Sequence, residues 1–141
     1  MKTIILEFNG YWREINKNSV PSQEGVYCVY SCVHNAAQKT VSINKLIYIG
    51  ESDNVNKRIS SHDKLDDWKS HISGNETLCY SFAEITEPDR IIAEAALIFK
   101  HKPLTNKAYI DSFTFEDTHM KLSGKTANLV TSFIVKKQYT I

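Results

Sequence analysis

The chain has 141 residues, 42% of them hydrophobic, enough to bury one sizeable core and short for two comfortable ones. A formal net charge of +1 argues against a general polyanion binder. The longest apolar run, residues 91–99, is interrupted by Glu94 and falls far short of the roughly 20 residues of a membrane span. The opening MKTIILEF is too briefly apolar for a secretory signal, so the expectation is one cytoplasmic domain over residues 1–141 with no membrane partner. Charge is uneven along the chain, with +4 in residues 100–141 and −3 in the rest, although a lysine-rich solvated face explains such a bias as readily as a ligand does.

Residues 3–15, TIILEFNGYWREI, place Asn9-Gly10 between two β-prone runs, the pattern of a type I′ hairpin turn, and predict an N-terminal hairpin within residues 1–24. GVYCVYSCV and VSINKLIYIG then form a second antiparallel pair. A short helix is expected over Asp53–His62 behind an Asx cap, and a second over Leu65–Ile72 that stops near Gly74-Asn75. TLCYSFAEI, 77–85, alternates as a strand. From Thr86 the period changes: Thr86 can cap, Pro88 suits a first turn, and Ile91, Ala95 and Ile98 recur at helical spacing until Pro103. Phe113, Phe115, Leu129, Val130, Phe133 and Val135 suggest strands around the turn Ser123-Gly124. The fold class is α+β, a small antiparallel sheet flanked by helices. Cys28, Cys32 and Cys79 are odd in number and lack metal-type spacing, so they read as reduced core thiols.

Four kinds of residue sit awkwardly in a pure packing account. If Gly25 faces Gly50 across the GVYCVY and LIYIG hairpin, Tyr27 lies opposite Tyr48 on one face; a cross-strand tyrosine pair is either sheet stabilisation or chemistry at the rim of a site. Arg58 and His62, four apart, would share a face of the next helix, as exposed residues or as a guanidinium and a base brought to the phenols. Glu94 borders an apolar stripe, where a carboxylate must be paired, with Arg90 at i−4 as the local candidate, or bind a metal.

Taken in order, GVY at 25–27, YIG at 48–50, Arg58, His62, and Glu94 and Asn106 in EAALIFKHKPLTN resemble the GIY-YIG nuclease family over about residues 25–106. The resemblance implies a DNA endonuclease using one divalent cation, Mg²⁺ or Mn²⁺, with RNA as an alternative substrate and a homodimer where both strands are cut. By motif, Tyr27 and Tyr48 match the family's two tyrosines, Arg58 its catalytic arginine, His62 the accompanying histidine, Glu94 the metal ligand and Asn106 the asparagine that supports the site. Tyr27 is the preferred base, since a guanidinium and a metal favour its phenolate. Lys57, Lys100, Lys102 and Lys107, with Lys121, Lys125, Lys136 and Lys137 in the tail, are candidate backbone contacts. Val26 replaces the family's usual isoleucine, and the connection between the two motifs is longer than is typical. The N-terminal hairpin and a β-rich extension, 107–141, lie outside the resemblance. The alternative reading is a catalytically silent nucleic-acid-binding or interaction module on the same scaffold.

Overall fold

The computed structural model describes residues 1–139. Six strands, β1 (Lys2–Arg13), β2 (Gly25–Asn35), β3 (Thr40–Ser52), β4 (Glu76–Glu84), β5 (Thr118–Gly124) and β6 (Ser132–Val135), form one sheet in the order β3-β2-β4-β1-β5-β6. Helices α1 (Val55–Ser60) and α2 (Leu65–Lys69) cover one face, and α3 (Asp89–His101) packs on the other. This is the expected α+β class. Among the described residues no helix is long and apolar enough to cross a membrane.

The central strand β2 is buried along most of its length because it feeds two cores. Val26, Cys28, Tyr30 and Cys32 point toward α3 and pack with Ala95, Ala96 and Ile98. Tyr27 and Val29 point the other way and pack with Ile47, Ile59, Trp68 and Tyr80. Period-two alternation thus assigns Tyr27 to the face beneath α1 and α2.

Asn9-Gly10 does not turn the chain. It lies inside β1, whose first half runs parallel to β5 (Lys2 beside Thr118, Phe8 beside Gly124) while its second half runs antiparallel to β4 (Asn9 beside Phe82, Arg13 beside Cys79). The partner strand changes between Phe8 and Asn9, a bulge between Gly10 and Trp12 interrupts the β4 pairing, and Gly10 supplies the φ of +148° found there. Trp12 and Arg13 therefore pair with β4 and not with the first half of β1, and no hairpin forms within residues 1–24.

The β2–β3 register also differs from expectation by two residues. Gly25 pairs with Ser52, Tyr27 with Gly50 and Val29 with Tyr48. A shift of two preserves the face, so Tyr27 and Tyr48 are diagonal neighbours with ring centroids 6.2 Å apart. Phe113 and Phe115 lie in a loop before β5, with Phe113 fully buried against Phe99 and Phe115. Cys32 and Cys79 are joined as a disulfide between β2 and β4, contrary to the expected free thiols, because the register sets them diagonally across adjacent strands. Cys28 alone is free, and burial pushes its thiol up to about 12.

Candidate active site

The edge strand β3 is held from outside by the segment after α3. Asn106 donates from Nδ2 to the Ile49 carbonyl and accepts from the Ile49 amide at Oδ1, both at 2.9 Å. The Thr105 amide and hydroxyl both donate to the Ile47 carbonyl, at 3.0 and 2.9 Å. Together these bonds satisfy backbone groups that a free edge would leave open, and they fix the chain on either side of Tyr48. Gly50 answers a different demand: a Cβ there would stand 2.4 Å from both Cζ and Oη of Tyr27. The Tyr27 ring thus lies directly against the glycine of the second motif.

His62 lies beyond the end of α1 and not on it, because the helix, capped by the Asn54 side chain in place of Asp53, closes at Ser60. Arg58 and His62 consequently do not share a helix face. The chain after Ser61 instead folds His62 inward, where its Nε2 lies 2.8 Å from the Tyr27 hydroxyl. The Lys64 amide donates to His62 Nδ1 at 3.1 Å. The short helix α2, five residues where Leu65–Ile72 had been expected, brings the fully buried Trp68 against the imidazole, with centroids 4.2 Å apart. Tyr48 completes the cluster at 5.5 Å from His62 and 5.3 Å from Trp68. Burial drives Tyr27 well above its usual range and raises Tyr48, while the Arg58 charge pulls both down. Burial, reinforced by Arg58, lowers His62 to about 4, so the imidazole is neutral at physiological pH.

Arg58 reaches this cluster from α1. Its Nη2 donates to Asp63 Oδ1 at 2.8 Å, and its side chain is 39% exposed. The outer flank is a depression of about 260 Å³ lined by Ser52, Asn54, Lys57 and Arg58.

Glu94 does not pair with Arg90. The Arg90 guanidinium is turned away to Glu24, Glu51 and Glu87, three carboxylates from the lead into β2, the end of β3 and the lead into α3. Glu94 is left without a cationic hydrogen-bonding partner, half-buried in a cavity of about 230 Å³ with Tyr48, Lys64, Asn106, Lys107 and Tyr109. Burial, then the nearby Glu51 charge, raise its carboxyl to about 7, opposed by a backbone hydrogen bond from Glu51 and by Arg90. A carboxylate without a cationic hydrogen-bonding partner, lining a cavity beside Asn106 and Tyr48, suits a hard cation that takes its other ligands from water and phosphate oxygens. Among the described residues no group of three His, Cys, Asp or Glu forms a closed metal cage, so Glu94 would be the protein's one acidic ligand.

Tyr27, Tyr48 and His62 are thus in direct contact, Arg58 acts on both phenols, and Glu94 and Asn106 share the cavity of Tyr48. The lysines divide. Lys57 and Lys107 line the two depressions beside Arg58 and Glu94. Lys100 lies over the Phe133 ring at 5.9 Å. The Lys102 ammonium donates to the carbonyls of Phe99 and Ile110 and covers the Phe99 ring. Sequence reading missed Lys64, Trp68 and Tyr109. For Trp68 a signal existed: it is the one bulky aromatic in the polar stretch DDWKS, the pattern of an anchor.

These features define a class in which a phenol pair at the end of a hairpin meets an arginine, a histidine and a lone carboxylate. The family model described as the GIY-YIG catalytic domain matches residues 24–109, and the chain belongs to this family. Two curated relatives are both described as UvrABC system protein C. That of Thermosipho africanus is 36% identical over 64 residues, covering 45% of this chain and 12% of the relative. That of Bdellovibrio bacteriovorus is 27% identical over 123 residues, covering 83% of this chain and 18% of the relative. The chain therefore spans less than a fifth of the length of these relatives. No solved structure gives a significant match. Family membership supports a nuclease activity.

Proposed function

We propose that the chain is a divalent-metal-dependent endonuclease that hydrolyses DNA phosphodiester bonds at the end of β3. The observation that carries this reading is Glu94, a half-buried carboxylate left without a cationic partner although an arginine stands one turn away on the same helix. Such a group costs stability unless it serves a ligand. The catalytic domain shared with two UvrABC system C proteins supports DNA as the substrate.

Each chemical demand has a residue. Mg²⁺ or Mn²⁺ held by Glu94 would neutralise charge on the phosphoryl group and on the departing oxygen. Arg58 presents its remaining N–H donors to the phosphate oxygens, in a planar arrangement that lysine cannot reproduce. Tyr27 is the base. Its proton passes to solvent as the site assembles around the Arg58 charge, and the phenolate then takes a proton from the attacking water. The water oxygen bonds to phosphorus as the bond from phosphorus to the 3′-oxygen breaks, and solvent protonates that leaving oxygen. Tyr48, fixed by the Asn106 clamp on Ile49, orients the water or a phosphate oxygen. Lys57 and Lys107 extend the phosphate contacts to either side, which makes binding salt-dependent.

A nicking assay on supercoiled plasmid and on branched DNA with Mg²⁺ or Mn²⁺ tests the proposal. The wild-type protein should cleave, and Glu94→Ala and Arg58→Ala should each abolish cleavage with circular dichroism unchanged. Retarded mobility without cleavage would instead identify a silent binding module, and full activity in either variant would remove the assigned roles.

A further inference from the structure

Trp68 has no part in the chemistry just described, yet it is fully buried beside His62. Its ring makes the nearest aromatic contact of the imidazole, at 4.2 Å and 43°, and touches Tyr48 and Tyr80 as well. Its indole N–H has no hydrogen-bond partner among the described residues, a cost that an aliphatic or phenyl side chain would not carry. Packing alone therefore explains this residue poorly.

The hydrogen bonds of His62 give it a purpose. In neutral imidazole one ring nitrogen donates and the other accepts. Nδ1 accepts from the Lys64 amide, a donor that cannot reverse. The proton must then be on Nε2, which faces the Tyr27 oxygen at 2.8 Å. The competing partner for Nδ1 is Asp63, whose Oδ1 is 3.4 Å away; an Nδ1–H bond to it would leave Nε2 free to accept the Tyr27 proton. Asp63 is 70% exposed and already receives the Arg58 guanidinium, so the amide holds the nitrogen.

We propose that Trp68, together with the Lys64 amide, holds His62 in a single neutral tautomer, so that His62 is a fixed donor to the Tyr27 oxygen and never its proton acceptor. Trp68 is then a positioning residue, and the Tyr27 oxygen accepts from His62 while the phenol's own proton points away from the imidazole. This rests on the reading of Tyr27 as base. The His62 N–H stabilises negative charge on that oxygen, and the seat of the imidazole also resists protonation. The charged and titratable groups facing it are Arg58, Asp63 and Lys64 from its own segment, Tyr27 from β2 and Tyr48 from β3. Burial together with Arg58 and Lys64 outweighs the opposing pull of Asp63.

The test begins without DNA. In protein labelled with ¹⁵N-histidine, long-range nitrogen–proton correlation spectra should show His62 protonated on Nε2 and neutral at pH 6. Trp68→Leu should mix the tautomers and raise the titration midpoint by at least about one pH unit toward that of free histidine, whereas Trp68→Phe, which keeps a ring, should shift it less. An Nδ1–H tautomer in the wild type overturns the proposal even if the leucine variant fails to fold, and so does an unchanged spectrum in a folded Trp68→Leu. In cleavage assays His62→Gln, whose amide can donate but cannot take up a proton, should stay within about tenfold of wild type, the scale of one hydrogen bond. His62→Leu should lose about a hundredfold, in kcat and not KM. Equal loss in both variants would make His62 a base and defeat the proposal. Absence of cleavage by the wild type would defeat the nuclease reading instead and leave the spectroscopic result standing.

Discussion

Gly50 and the Tyr27 ring occupy neighbouring space so closely that a single methyl group at residue 50 would stand 2.4 Å from the phenol's Cζ and Oη. The two residues are directly paired across β2 and β3. The glycine of the second motif is therefore explained by the tyrosine of the first, with no appeal to a positive φ.

Gly50→Ala should displace the Tyr27 ring and lower stability by about 1–3 kcal/mol, the usual cost of overpacking. Because a shift of about 1 Å in a reacting group costs roughly a hundredfold, cleavage should fall at least that far at saturating DNA. A thermal melt and a single-turnover rate measure the two effects. Wild-type turnover in the folded alanine variant would show that the contact between ring and glycine does not position Tyr27.

Local pattern revealed β2, β3, β4 and α3, since alternation, a change of period at Thr86 and a stop at Pro103 are all written within a few residues of each element. The hairpin expected at Asn9-Gly10 failed because turn propensity competes with a partner the pattern cannot reveal: residues 9–13 pair with β4, some 70 positions away. The six motif positions were legible as a resemblance, and their gathering at the end of β3 depends on the fold. Of the two readings open for Glu94, an ion pair with Arg90 at helical spacing does not form, because the Arg90 partners Glu24, Glu51 and Glu87 converge from separate elements. Lys64 and Trp68 escaped for the same reason, as their relation to His62 is made by a backbone amide and by a helix folding back.

Removing the Glu94 charge should stabilise the protein while ending its metal-dependent cleavage. Its folded-state carboxyl lies near 7 against an ordinary 4.5. The native state therefore binds more protons than the unfolded chain between those values, and stability falls as pH rises through that window. Glu94→Gln should gain about 2–3 kcal/mol at pH 8, and close to nothing near pH 4. Denaturant melts at the two pH values read the difference. A glutamine variant that is less stable than wild type at pH 8 would mean that the carboxylate is held by attractions that outweigh its burial.

The Asn106 amide should be replaceable by neither alanine nor aspartate. Alanine removes both bonds to Ile49, while aspartate keeps the acceptor and sets a second oxygen against the Ile49 carbonyl that now receives Nδ2. Each change should cost about 1–3 kcal/mol. Only alanine should speed hydrogen exchange at the Ile49 amide, because aspartate still accepts from it. Equal exchange rates in wild type and the alanine variant would remove Asn106 as the clamp on β3.

The rate of cleavage should depend on pH through two ionisations and not through His62. Glu94 must be charged to hold a cation, and its carboxyl near 7 makes that form scarce in acid. Tyr27 must lose its proton, and burial places that event above the range of an ordinary phenol. Below about pH 7 both fractions shrink together as acid is added, so the logarithm of kcat/KM should climb with a slope approaching two. Above it only the phenol still titrates, and the slope should relax toward one with no falling limb through the neutral range. His62, already neutral above about 4, adds no inflection between pH 5 and 8. A profile that levels off from pH 7 upward, with chemistry shown to be rate-limiting, would require a base other than Tyr27.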